Sequence, residues 1–180
     1  HDVTLTRTGE GYSGTCAISI TGGGIVSNCV FRQCGNGLAG NCRYMINCKT
    51  SGHIYGCVVT NCSPPNSPAF NVSGSTVVEN CFIADNTHRG ASVSSYPGIG
   101  IVAAGSAVIR NCTIVNNTCA SASTGTPGIY VKSADVTVEN CIAWGNTWGK
   151  DSKTTYDWYS TGATTKWCNN CTSGAENLQG

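Results

Sequence analysis

The groups in this chain that could do chemistry are thirteen cysteines, three histidines, nine acids and a crowd of aromatics late in the sequence. Hydrolysis of a glycosidic bond needs two carboxylates around one oxygen. Calcium-assisted elimination needs clustered acids plus an Arg or Lys base. The acids here come singly. Asp85, His88 and Arg89 come nearest to such a set. The positions that align with Asp85 in later repeats are Asn116 and Gly145, so the acid does not recur. His53 stands alone before a strand and reads as structural. Cys168-Asn169-Asn170-Cys171 is a lone C-x-x-C, and a zinc site wants a second pair. No catalytic residue, metal or cofactor is assigned.

The richest stretch is Trp144 to Tyr159. It holds Trp144, Trp148, Asp151, Tyr156, Trp158 and Tyr159, with Lys150, Lys153 and Asp157 between them. Aromatic faces beside polar groups suit sugar rings, so these six are the candidate glycan contacts. The plainer alternative is that they cover the end of the fold or plug its core.

What positions them is a repeat. Val78-Glu79-Asn80-Cys81-Phe82-Ile83 returns as Val108 to Ile114 and as Val138 to Ala143, and earlier copies surround Cys29 and Cys57. The repeat cysteines Cys29, Cys57, Cys81, Cys112, Cys141 and Cys171 are 28, 24, 31, 29 and 30 residues apart. A period of this size marks a solenoid, in which each unit buries its apolar face on the next. Units consist of short β-branched runs between Gly, Asn and Ser, which read as strands and turns. Eleven residues before the cysteine lie Ile18, Ile46, Phe70, Ile101 and Tyr130, placing an additional strand in each unit. The expected fold is all-β: a right-handed parallel β-helix of about six coils, rising roughly 29 Å at the strand spacing.

The copies of V-x-N-C-x-I-x-x-N resemble the repeats of pectin-lyase-like right-handed β-helix proteins. The I-x-x-N and Gly22-Gly23-Gly24-Ile25 pieces are similar to those of polymorphic outer-membrane proteins and other bacterial surface β-helices. The resemblance spans about residues 15 to 175. It implies the fold, and it implies a secreted or cell-surface location in a bacterium. The superfold carries lyases, hydrolases, adhesins and spikes alike, and no N-T-D, D-D or G-H-G motif of the polygalacturonase kind is present. His1 to Thr15 holds one alternating strand and no amphipathic capping helix, and the sequence stops in mid-coil. One domain over residues 1–180, without full end caps, is therefore expected to be part of a longer protein or an assembly.

Two stacked rows follow from the repeat. Asn28, Asn80, Asn111, Asn140 and Asn170 precede a repeat cysteine, with Gly56 in the gap. Asparagine tolerates the left-handed turn conformation, and its amides can bond in a ladder. Cys29, Cys57, Cys81, Cys112 and Cys141 behave as small buried hydrophobes in a corner. Parallel neighbours about 4.8 Å apart fit a disulfide poorly. Cys34, Cys62, Cys168 and Cys171, off that row, are the better candidates. An outward charge row runs through Glu79, Arg110 and Glu139. If the cysteines point inward, then Val30, Val58, Phe82, Thr113 and Ile142 form an apolar outer row, which suggests a covered face.

Charge is scarce, with 11% charged residues and a formal net charge of +1. That balance offers no basic stripe for nucleic acid, and no apolar run is long enough to span a membrane as a helix. The expected function is a non-catalytic extracellular module for adhesion, glycan contact or assembly with further copies. The alternatives are a piece of a polysaccharide lyase or glycoside hydrolase, and a filament or spike subunit stacking end to end.

Overall fold

The computed structural model describes residues 3–6, 16–34, 44–63, 68–88, 99–119, 128–133, 135–148, 154–155, 157–161 and 166–173. The third coil shows the plan. Phe70–Val72 lies on a first face, Val77–Glu79 on a second, Phe82–Ala84 on a third, and the two-residue Thr87–His88 on a short fourth. Each strand pairs in parallel with its counterpart one coil away. The first and second faces are six strands deep. The third is seven deep, because Val3–Thr6 stacks on Cys29–Arg32. The fourth has four strands, and its last pair, Thr147–Trp148 with Thr154–Thr155, is antiparallel.

Two columns of left-handed residues bracket the third face. Asn28, Asn80, Asn111 and Asn140 have φ of 53°, 54°, 52° and 53°, and Gly56 joins them at 61°. On the far side Gln33, Asn61, Asp85, Asn116 and Gly145 have φ between 54° and 67°. A β-branched residue would be strained at any of these corners. Amides and glycine there let the chain turn within a single residue. Gly74 serves the corner between the first and second faces, where an added Cβ would stand 1.7 Å from the Thr50 carbonyl oxygen.

Alternation settles which side chains form the core. On the second face Val26, Ile54, Val78, Ile109 and Val138 are buried. On the third, Phe31, Val59, Ile83, Ile114 and Ala143 are buried, together with Cys29, Cys57, Cys81, Cys112 and Cys141. Val30, Val58, Phe82, Thr113 and Ile142 form the outward row. Phe82 is 41% and Ile142 46% exposed, so the cysteine-inward register does leave apolar side chains on that surface.

Two alignments differ from the sequence expectation. On the first face Ile101 pairs with Ile129, not Tyr130. The link to the second face is one residue longer in that coil, which slips the spacing. In the last coil Ile142 pairs with Cys171, so Asn140 lies over Asn169 and Cys141 over Asn170. Asn169 takes the left-handed corner at φ 55°, and Asn170 enters the cysteine row.

Candidate functional site

Inside the coil the repeat cysteines make a sulfur column. Each thiol of Cys29, Cys57, Cys81, Cys112 and Cys141 donates to the carbonyl two residues before it, at 3.2 to 3.5 Å. The left-handed corner between the two turns that carbonyl toward the sulfur. Hydrogen bonding with Cys112 lowers the Cys81 thiol, but hydrogen bonding with Cys57 and burial outweigh it and push the thiol up to about 12. Cys141 is raised by its hydrogen bond with Cys112 and by burial. Cys112 is raised as well, whereas hydrogen bonding with Cys81 lowers Cys57. Protonated thiols in line, with no imidazole or carboxylate beside them, are poor nucleophiles, so the column is packing material. The five are free thiols. Asn170 ends the column by accepting from the Cys141 N–H at 2.8 Å and donating to the Val138 carbonyl at 2.9 Å.

A second column, five residues on, is where amides bond to one another. The Asn86 side chain donates to Asn117 Oδ1 at 2.9 Å, and Asn117 donates to Asn146 Oδ1 at 2.9 Å. Each Nδ2 also donates to a carbonyl of the preceding coil: Val59, Ile83 and Ile114. All three amides are essentially inaccessible to solvent. Each Nδ2 donates twice, Asn117 and Asn146 Oδ1 each accept twice, and Asn86 Oδ1 accepts from the Cys62 N–H, so no amide is left unsatisfied, as burial requires. The ladder ends at Asp157, whose Oδ1 accepts from both the N–H and the side chain of Asn146 at 2.9 Å. Its Oδ2 accepts from the backbone and hydroxyl of Ser173. Glycine at 128 makes room for this residue: a Cβ there would stand 1.8 Å from the Asp157 carbonyl oxygen. Asn28, Asn80, Asn111 and Asn140 stack as corners, with no amide-to-amide bond between them among the described residues.

At the other end of the same column stand Cys34 and Cys62. The Cys34 N–H donates to Cys62 Sγ at 3.4 Å, and Cys62 accepts nothing covalent, being a free thiol. Hydrogen bonding with Cys34 and burial raise it well above the ordinary thiol range. Cys168 and Cys171 are exposed free thiols on the outside of the last coil. None of these candidates forms a bridge with another among the described residues.

The outer surfaces carry the groups a partner would meet. On the second face Glu79 accepts from Arg110 and bonds His53 Nε2 at 3.0 Å, with Tyr55 edge-on to that imidazole. The Arg110 guanidinium holds the Glu79 carboxyl below the usual carboxylate range. On the first face the side chains alternate outward at Ser19, Asn47 and Asn71 and again at Tyr130 and Tyr159, while Val102, in register between them, is buried. Asn71 donates to Asn47 Oδ1 at 2.8 Å. Tyr130 and Tyr159 stack with centroids 5.6 Å apart, and Lys132 Nζ lies 5.4 Å from the Tyr130 ring.

The four described candidates, Trp144, Trp148, Trp158 and Tyr159, do not gather into one site. Trp144 is 49% exposed on the outside of the third face, and Tyr159 is 48% exposed on the first. Trp148 packs with Ile99 and Cys119 on the fourth. Trp158 turns inward, packs on the core and meets Trp167 at 4.1 Å between centroids. It plugs the last coil. The reason is alternation: neighbours on a strand point to opposite sides. Asp151, Tyr156 and Arg89 lie outside the described residues. His88, set beside Asp85 and Arg89 in the sequence as the nearest approach to a catalytic cluster, is fully buried, and the ladder through Asn86, Asn117 and Asn146 is not anticipated from the sequence.

Single-coil repeats, parallel stacking on every long face and a closed interior define a parallel β-solenoid. The right handed beta helix region family matches residues 3–173, and the chain belongs to that family. No curated protein and no solved structure matches the chain. Among the described residues no helix is long and apolar enough to cross a membrane.

Proposed function

We propose that this chain is a non-catalytic module of a secreted or cell-surface protein, and that it holds an extended glycan against its first face. The observation that carries this reading is the outward Tyr130–Tyr159 stack with Lys132 beside it. Aromatic rings bind the apolar faces of sugars, and a neighbouring ammonium supplies a hydrogen-bond donor. The Asn47–Asn71 pair offers amide donors and acceptors on the same face, beyond the buried Val102. A hydrolase reading draws no support from Glu79. Arg110 keeps that carboxyl ionised, whereas the acid of a glycosidase must hold its proton near neutral pH.

Affinity electrophoresis against a panel of neutral and acidic polysaccharides tests the reading. At least one polymer retards the protein, Tyr159→Ala abolishes the retardation, and the polymer keeps its length with or without calcium. Retardation by none, or release of shortened or unsaturated sugars, overturns it. The outside of the third face supports a second reading, assembly. Phe82, Ile142 and Trp144 are large apolar side chains left in water there, and such clusters mark contact surfaces. Light scattering distinguishes the two: Ile142→Ser with Trp144→Ser dissolves an assembly and leaves glycan binding intact.

A further inference from the structure

Three soft groups run in line down the fourth face. His88 pairs in register with Cys119, and Cys119 with Trp148, on successive coils. His88 is 0% and Cys119 1% exposed. Cys119, Ile99 and Trp148 form a small apolar cluster separate from the main core. Nδ1 of His88 faces Cys119 Sγ at 3.9 Å, and Nε2 has no hydrogen-bond partner. The buried imidazole thus turns Nδ1 toward the thiol with one weak contact, and Nε2, on the far side of the ring, is unpartnered whatever lies between the pair.

The distance bears on what that is. A thiol is a weak donor, and 3.9 Å is long for a thiol–imidazole hydrogen bond. Nitrogen and sulfur on either side of one metal ion stand roughly 3.6 to 4.3 Å apart, from bent to linear. Thiolate and imidazole favour soft ions, whereas hard cations want oxygen. No group of three or more His, Cys, Asp or Glu gathers among the described residues, so a tetrahedral zinc site is not built there. The Trp148 indole packs on Cys119 and bounds the pair on the side of the next coil.

We propose that His88 and Cys119 form a low-coordinate site for a soft monovalent ion, Cu(I) or its redox-inert analogue Ag(I), with Trp148 as its apolar wall. The ion replaces the thiol proton, which leaves to solvent, and no oxidation state changes. Ile99 and Trp148 pack on Cys119, and neither offers the oxygen that a hard ion would want.

The test uses the full chain carrying Cys168→Ser and Cys171→Ser, which removes the exposed thiols among the described residues, together with Cys16→Ser and Cys42→Ser. Ag(I) is titrated without oxygen and followed by native mass spectrometry, competition with a soluble thiol, and tryptophan fluorescence. The expected result is one tightly held ion per folded chain, with indole quenching. His88→Leu and Cys119→Ala each weaken it at least tenfold, and Cys112→Ala, in the sulfur column, leaves it in place. Should Cys119→Ala fail to fold, His88→Leu still decides, because it keeps the apolar volume and removes an orphaned polar group. The proposal falls if His88→Leu binds Ag(I) as tightly as the parent. It also falls if Cys112→Ala loses the ion, or if uptake occurs only as the β-sheet circular dichroism disappears.

Discussion

Two kinds of asparagine stand in this chain, and they differ in what their side chains do. Asn111 is exposed and serves the backbone, holding φ at 52°. Asn117 is buried and serves the ladder, accepting two bonds from Asn86 and donating to Asn146 and Ile83. Asn111→Gly should leave stability within about 1 kcal/mol, since glycine accepts the same φ. Asn117→Ala strands two donors and a carbonyl in the dry interior and should cost about 3–5 kcal/mol. Urea unfolding of the two variants measures the difference, and equal losses would mean that the ladder is not what holds the coils. His88 makes a prediction of the opposite kind. Its folded pKa is near 4, against an unfolded value of about 6.5. The unfolded chain therefore takes up a proton first as pH falls. Stability is intact above about pH 6.5, declines toward pH 4 by about 3 kcal/mol, and then no longer changes on account of this group. His88→Leu should flatten that part of the curve in urea melts taken across the range. A parent curve already flat from pH 6.5 to 4 would contradict the buried neutral imidazole.

At the scale of the element, the strands bracketing each Asn-Cys corner were legible because their signal repeats. An asparagine, a cysteine and a β-branched residue at constant phase fix a corner and the two strands beside it. The fourth face was not legible: its strands are two residues long and vanish into connections of changing length. The buried ladder had a visible trace, an asparagine five residues after Cys81, Cys112 and Cys141. Yet a polar residue in sequence says nothing about whether its neighbours will satisfy it. The last coil misled for a local reason. Cys168-Asn169-Asn170-Cys171 offers two asparagines before a cysteine, and the corner takes the first. That slip has a measurable consequence, because it turns Cys171 outward while Cys29, Cys57, Cys81, Cys112 and Cys141 stay buried. Among these and Cys168, a thiol reagent applied to the native protein should modify Cys168 and Cys171 within minutes. The five column thiols should react only at the rate of unfolding. Peptide mapping after a timed pulse reads this directly, and early labelling of Cys112 would place the column in solvent.

At the scale of the molecule, every coil is held by its two neighbours, so the solenoid should tolerate losing one coil provided that the phase is kept. Thr113 pairs with Ile142, which makes one coil 29 residues long at that point. Removing residues 113–141 joins Cys112 to Ile142. Ile142 then stacks on Phe82, and Asn146 takes the place of Asn117 against Asn86. Asp157 still ends the ladder, with Gly100 in place of Gly128 behind it. Nearest-neighbour stacking predicts a folded chain that is less stable, with a denaturant slope lower by about one sixth because less surface is exposed on unfolding. Removing residues 113–140 instead deletes one residue fewer. That leaves Cys141 at the outward position, turns Ala143 out and Ile142 in, and puts Trp144 at the left-handed corner that Asn116 occupies at φ 55°. A one-residue slip reverses every side chain that follows, and a bulky residue is strained at such a corner. The shorter deletion should therefore unfold or aggregate while the longer one melts cooperatively. Circular dichroism with urea melts separates the outcomes. Equal stability of the two would show that the connecting loops absorb the slip and that phase along the column is not what specifies this fold.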